Sequence, residues 1–249
     1  MDTSFLRPDA LPPVTEHMAE DFQTASPFPH AVIDDFLPPS FAELVSERFP
    51  KPESEVWLDW RKRSGHQYGK QGPGGASRFD HLDPVFETAL LQLNNFRMLR
   101  FLEALTGIEK LLPDPHFRGG GIHSIVPSGF LDVHTDFNKY TQMDLYRRLN
   151  VLIYLNKDWD ESEGGALELW DKAPPEGRCQ KAIAPEFNRA VIFCTNKISF
   201  HGHPTPWNGR NGRSRRSIAL YFYSAQPGLD ERYSDTTEFQ GVAFRELTS

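Results

Sequence analysis

The chain has 249 residues, a formal net charge of −7, 39% hydrophobic residues and only two cysteines. That apolar content is enough for one sizeable core, and barrel-like folds reach this length without dividing, so a single domain over 1–249 is expected. The acidic balance speaks against a nucleic-acid partner, since Arg213, Arg215 and Arg216 form its densest basic cluster, and two cysteines fit a reducing, cytoplasmic setting without a disulfide framework.

The opening "MDTSFLRPDALPPVTEH" lacks the apolar stretch of a signal peptide, and no later run has the apolar length of a membrane span. Residues 1–27 are polar and proline-bearing and read as a flexible arm. "FPHAVIDDFL" (28–37) reads as a strand and a turn. "PPSFAELVSERFP" (38–50) predicts a short helix after Pro39, with Phe41, Leu44, Val45 and Phe49 at helical spacing. "RSGHQYGKQGPGGASR" (63–78) is glycine-rich and aperiodic, and reads as a mobile loop lacking the context of a phosphate cradle. Trp57 and Trp60 beside it could cap a substrate groove or pack on the core. "PVFETALLQLNNFRMLRFLEALTG" (84–107) predicts two helices closed by Gly107. Residues 28–115 would thus be a helical support.

From about residue 117 the pattern changes. "GGGIHSIVP", "GFLDVH", "RLNVLIYLN", "GALELWD", "KAIAPEFNRAVIFCT" and "RRSIALYFYS" are short β-rich runs separated by Gly, Pro, Asn and Asp. In "LNVLIYLN" strand alternation puts Asn150, Leu152 and Tyr154 on one face and Val151, Ile153 and Leu155 on the other, with both faces apolar enough to be buried. No alternation of strands and helices is present, so a parallel doubly wound sheet is disfavoured. A mainly β fold with N-terminal helices, a jelly roll over 116–225, is expected.

"VHTDFN" (133–138) places an imidazole and a carboxylate at i and i+2, so on an extended strand His134 and Asp136 point the same way and can converge on a metal. "SFHGHP" (199–204) offers His201 or His203 as a third ligand from a distant strand. Two histidines and one carboxylate on one face of iron, with three positions open, is the arrangement of non-haem Fe(II) oxygenases. A closed zinc site would need a fourth ligand. Just downstream, "GRSRRSIALYFY" points Arg215 and Ser217 to one face and Arg216 to the other. A guanidinium binds a carboxylate with two parallel charge-assisted bonds, and a hydroxyl can add a third. His123 could touch substrate or be a satisfied core histidine, whereas His30, His66, His81 and His116 show no ligand spacing. "KDWDESE" (157–163) lacks the glycine and glutamate of a calcium loop and reads as a solvated turn.

Taken in order, "HTD" (134–136), "LIYLNKDWDESEGGALELW" (152–170), "SFHGHP" and "RRSIALY" (215–221) resemble the Fe(II)- and 2-oxoglutarate-dependent dioxygenases. The stretch 152–170 resembles the prolyl-4-hydroxylase-like branch in particular, and the resemblance covers roughly residues 116–225 plus the strand at 28–37. It implies a double-stranded β-helix that hydroxylates an unactivated C–H bond with dioxygen and 2-oxoglutarate, releasing succinate and carbon dioxide. It implies His134, Asp136 and His201 as Fe(II) ligands, with His203 the alternative because Pro204 and Pro206 are displaced from the branch pattern. It implies that Arg215, with Arg216 the alternative, binds the distal carboxylate of 2-oxoglutarate with help from Tyr154, and that Leu167 packs against that co-substrate. Ascorbate would be an accessory. The substrate, whether a peptidyl residue, an amino acid or a sugar-linked metabolite, does not follow from the resemblance. A rival reading is a non-catalytic jelly-roll protein that binds a metal or ligand.

Overall fold

The computed structural model describes residues 11–59, 65–228 and 233–240. The elements run α1 (Glu16–Thr24), β1 (His30–Ile33), α2 (Pro39–Glu47), β2 (Leu58–Asp59), β3 (Gln67–Gly72), α3 (Pro84–Leu93) and α4 (Phe96–Thr106). Then follow β4 (Gly121–Thr135), β5 (Lys139–Tyr140), β6 (Leu145–Tyr154), β7 (Leu167–Trp170), β8 (Cys179–Ile183), β9 (Ala190–Cys194), β10 (Phe200–His203), β11 (Arg215–Ser224) and β12 (Glu238–Phe239).

The expected helix pair at 84–107 breaks at Asn94–Asn95 for a local reason. Asn94 turns its side-chain amide back onto the Leu90 carbonyl, and Asn95 accepts from the Arg97 and Met98 amides as the N-cap of α4. Gly107 closes α4 in the left-handed region at φ 71°, where glycine has no Cβ penalty.

Three elements depart from the sequence reading. Within the stretch read as an arm, residues 16–24 form α1, capped by Thr15, because Phe22 is buried in the same core cluster as α4. Inside the supposed loop 63–78, residues 67–72 form β3, paired with β2 and β4. Glycine at positions 69 and 72 hides the alternation that would have marked a strand. The two runs "GGGIHSIVP" and "GFLDVH" are one long strand, β4, that bends near Ser128 (φ 66°). Gly129 permits that bend: a Cβ there would lie 2.4 Å from the Ile125 side chain.

All pairings are antiparallel, in the order β1-β9-β6-β11-β4-β10-β7-β8. Because β4 bends, its residues 121–125 pair with β11 while Leu131 and His134 pair with β10. One strand therefore belongs to both walls, and the sheet curls into the expected double-stranded β-helix. The helices cover the outer face of β6, β9 and β11. There Val151, Ile153, Leu155, Ile192, Ile218, Leu220 and Phe222 bury against Phe86, Leu90, Leu102 and Leu105. Each such side chain contributes roughly 1.5–3 kcal/mol on burial, so this face carries most of the hydrophobic stabilisation. The space between the walls holds a smaller apolar cluster around Phe28, Tyr154, Leu167 and Phe193. Polar groups occupy the rest of it. Trp57 is 7% exposed and packs tilted on Phe49, with its indole N–H donated to the Lys51 carbonyl, so it belongs to the core and does not cap a groove. Trp60 lies outside the described residues. No helix among the described residues is long and apolar enough to cross a membrane.

Candidate metal centre

The end of β4 delivers His134 and, just past it, Asp136. Strand β10 lies alongside with His201 directly opposite His134. One ligand atom from each of these three residues lies within 4.8 Å of the others, and among the described residues this is the one group of three or more His, Cys, Asp or Glu that could hold a metal ion. His203 is equally buried and lines the same cavity, but it is outside that group.

Both imidazoles are held in one tautomer. The Nδ1 of His134 donates to its neighbour Asp132 carbonyl at 2.8 Å, and the Nδ1 of His201 donates to the Ser199 carbonyl at 2.8 Å. Each Nε2 is thereby left as the lone-pair donor, and each faces the Asp136 carboxylate, at 3.6 Å for His134 and 3.4 Å for His201. Burial and the neighbouring His201 keep the His134 pKa below its ordinary value, favouring the neutral, ligating form. Rings on both sides limit their motion: Phe193 meets His201 edge-on at 4.7 Å and Phe239 of β12 lies 5.4 Å from His134.

The carboxylate has its own support. Asp136 Oδ2 accepts from Arg147 Nη2 at 3.0 Å and from Asn150 Nδ2 at 2.7 Å. Burial works to raise the Asp136 pKa, but the Arg147 charge and the two histidines overcome it and hold the carboxyl well below the usual range. Sequence reasoning placed Asn150 on the inward face without giving it a role, and it missed Arg147 altogether. Strict alternation from Asn150 would turn Arg147 outward. A bulge changes this: Phe222 pairs with Leu149 but Tyr223 pairs with Arg147, so β6 carries one extra residue and Arg147 rejoins the inner face.

Further into the cavity stands Arg215, 5% exposed, its Nε donating to the Gly165 carbonyl at 2.7 Å and its guanidinium 4.8 Å from the Tyr154 ring centre. Gly165, at φ 70°, is needed there. A Cβ on it would lie 3.1 Å from Arg215 Cδ and 2.8 Å from the Trp207 ring. Ser217 and Leu167 line the same cavity, and the Tyr154 hydroxyl is buried without a hydrogen-bond partner among the described residues. Arg216 points the other way, over the Phe49 ring at 5.4 Å and toward the Ser46 carbonyl of α2. His123 is buried in the cavity wall with its Nε2 donated to the Gly119 carbonyl, and Lys70, from the strand read as loop, also lines the cavity. Burial pushes both of their pKa values down.

The turn 157–163 is less solvated than expected. Glu163 is 1% exposed and bonded by Arg213 Nε at 2.8 Å. Outside the barrel, a groove of ≈ 600 Å³ runs past Tyr146, Arg148, Cys194 and Tyr233. A smaller cavity beside Asp136 shares Lys197 and Tyr233 with the lining of that groove.

Residues 120–223 match the sequence model of the 2OG-Fe(II) oxygenase superfamily. Prolyl 3-hydroxylase OGFOD1 of Xenopus laevis is 31% identical over 80 residues, 31% of this chain and 15% of that protein, so the match spans only a small part of the relative. The mouse protein of the same name is 32% identical over 80 residues, covering 31% of this chain and 14% of its own length. Among solved structures, HygX from Streptomyces hygroscopicus, with nickel and 2-oxoglutarate bound, superposes with a TM-score of 0.58 at 11% identity, covering 91% of this chain and 97% of that one. A prolyl hydroxylase from Trichoplax adhaerens, in complex with a hypoxia-inducible-factor peptide fragment, gives 0.52 at 17% identity, covering 83% and 87%. Over residues 120–223 the chain is thus similar to the 2OG-Fe(II) oxygenase superfamily, and the curated relatives that it matches over 80 residues are prolyl 3-hydroxylases.

Proposed function

We propose that the chain is a dioxygenase in which His134, Asp136 and His201 hold Fe(II), and in which 2-oxoglutarate is consumed to hydroxylate a C–H bond of an organic substrate. The observation that carries this reading is one cavity with two built ends. At one end two imidazole Nε2 atoms and a carboxylate converge with their tautomers set. At the other, Arg215 and Ser217 present donors on the same strand face. The donor set fits Fe(II), since two imidazole nitrogens and one anionic oxygen are the ligand types of non-haem Fe(II) oxygenases. The far end fits a carboxylate: the planar guanidinium is pinned through Nε to Gly165, which leaves its Nη atoms for a ligand. The unpartnered Tyr154 hydroxyl supplies one more donor beside it, and Leu167 walls the aliphatic part.

When bound, iron and the keto-acid supply the oxidising chemistry. The chain's own residues orient and exclude. Arg215, Ser217 and Tyr154 fix the co-substrate's far end, so its keto-acid end is presented to the histidines. Phe193 and Phe239 would flank the two histidine ligands. The mouth toward Asp136 and the groove beyond it would take the substrate. The known neighbours do not narrow its class: one is described with a peptide fragment and another with hygromycin B. The jelly roll at 116–225 and the helical support at 28–115 would act as one domain, in a reducing, cytoplasmic setting, with no nucleic-acid partner.

The test is anaerobic addition of Fe(II) and 2-oxoglutarate, following the visible charge-transfer band of the chelate, then succinate release in air with ascorbate to keep iron reduced. A band with succinate formation is expected. A protein that binds metal yet shows neither would be a binding module, and the catalytic reading would be wrong.

A further inference from the structure

We infer that Arg147, together with Asn150, is a positioning residue that holds the Asp136 carboxylate in place beside the His134 and His201 imidazoles for the metal. The inference rests on the proposed metal reading of His134, Asp136 and His201. It starts from an unusual placement. Arg147 is a fully buried guanidinium, its side chain 1% exposed. A buried charge is costly unless paired and held, and Arg147 is both. Its guanidinium carbon sits 3.4 Å from the Tyr221 ring centre and 4.6 Å from that of Phe137. Tyr221 is itself tied by its hydroxyl to the Gly119 carbonyl at 2.8 Å. Two aromatic rings thus clamp the cation independently of the carboxylate.

The clamped guanidinium grips the carboxylate through Oδ2. Oδ2 accepts from Arg147 Nη2 at 3.0 Å and from Asn150 Nδ2 at 2.7 Å. Arg147 Nε also donates to Asn150 Oδ1 at 3.0 Å, which fixes the Asn150 amide with its N–H toward Asp136. The two oxygens also face the two histidines, Oδ1 toward His134 Nε2 at 3.6 Å and Oδ2 toward His201 Nε2 at 3.4 Å. The consequence is positional: the clamped pair fixes where the carboxylate stands relative to both imidazoles.

An opposite role is physically possible and gives the opposite sign. If Arg147 were only the counter-ion of a buried carboxylate, its positive charge would repel an incoming divalent cation, and removing it would tighten metal binding. A positioning residue behaves otherwise: removing such an outer partner typically weakens metal affinity about 10- to 100-fold.

The experiment is anaerobic titration of the full chain with Co(II), reading its visible d–d spectrum. Wild type is compared with Arg147→Gln and Asn150→Ala, each checked for native circular dichroism. Arg147→Gln is expected to weaken Co(II) binding about 10- to 100-fold and to shift the band shape as the carboxylate rotates. Asn150→Ala removes one of the two Oδ2 donors and should weaken binding about 2- to 10-fold. That milder variant decides the matter if Arg147→Gln fails to fold. Equal or tighter Co(II) binding with an unchanged spectrum in the folded variants would overturn the inference while leaving the metal site standing. A wild-type chain that binds no Co(II) would overturn the metal reading itself, and this inference with it.

Discussion

Strand β6 presents two faces of the same ten residues, and they do different work. Outward, Val151 and Ile153 are buried in the helix-backed core with Ile218, Leu220 and Phe222 of β11. Inward, Asn150 and Leu152 line the cavity with Arg215, Ser217 and Tyr221, and Arg147 joins them across the bulge. The outward face can be close-packed because nothing on it needs a ligand. The inward face holds charges that burial alone would penalise, and it can do so because the outward face supplies the stabilisation. Stability and chemistry are separated by strand parity. Substitutions on the two faces should therefore separate in what they change.

The largest effects belong to the metal end. His134→Ala, Asp136→Ala or His201→Ala should abolish Fe(II)-dependent succinate release while the β-rich circular dichroism persists, because each removes a donor and none removes core packing. His203→Ala should keep turnover. The reverse pattern, activity in His201→Ala and loss in His203→Ala, would move the third ligand to His203.

On the outward face, Ile153→Ala should cost about 2–5 kcal/mol of stability through lost burial and a cavity. Denaturant unfolding would show a lower midpoint, and the metal affinity of the folded fraction should be unchanged. If Ile153→Ala instead weakened metal binding as much as a ligand variant, the two faces would not be separable. The neighbouring arginines sharpen the same contrast within one dipeptide. Arg215→Ala should raise the 2-oxoglutarate requirement roughly ten- to a hundred-fold, the loss of about 1.5–3 kcal/mol for a charge-assisted pair. Arg216→Ala should leave that requirement near wild type, since its guanidinium lies over Phe49 on the helix side.

Parity also marks how far the sequence could be read. The facing of His134, Arg215, Ser217 and Tyr154 was legible because i, i+2 spacing on a strand decides it, Asp136 keeps to the same side just past the end of β4, and the inner face of β11 keeps that spacing throughout. Arg147 was not legible, because one extra residue in β6 reverses its facing and nothing in "LYRRLN" announces a bulge. Lys70 was hidden for a different reason: β3 is glycine-bearing and owes its strand conformation to pairing with β2 and β4, which no local pattern encodes. The two helices at 84–107 and the Gly107 that closes the second were readable, since capping is local chemistry. α1 was not, because its short polar run is held by one buried ring, Phe22.

The smallest expected effect tests whether a buried charge outside the cavity behaves as a purely structural element. Glu163 lies in the turn before Gly164 and Gly165, and so helps set the backbone that receives Arg215. Burial works to raise its pKa, but the hydrogen bonds from Arg213 and from the Arg210 and Asp160 backbone amides bring it from the ordinary 4.5 down to about 2. A carboxylate whose folded pKa is depressed stabilises the fold above its unfolded pKa, and that contribution disappears as pH falls through the folded value. Stability should therefore decline between about pH 5 and pH 2 with a component that Glu163→Gln removes. The variant should be less stable than wild type at pH 7 and closer to it near pH 2, as read by thermal melts across that range. Its Co(II) affinity at pH 7 should match wild type, because Glu163 acts on the turn and not on the donor set. A Glu163→Gln melt that keeps the full wild-type pH slope would assign the acid sensitivity elsewhere, and Asp136, whose carboxyl is also held low among charges, would be the group to examine next.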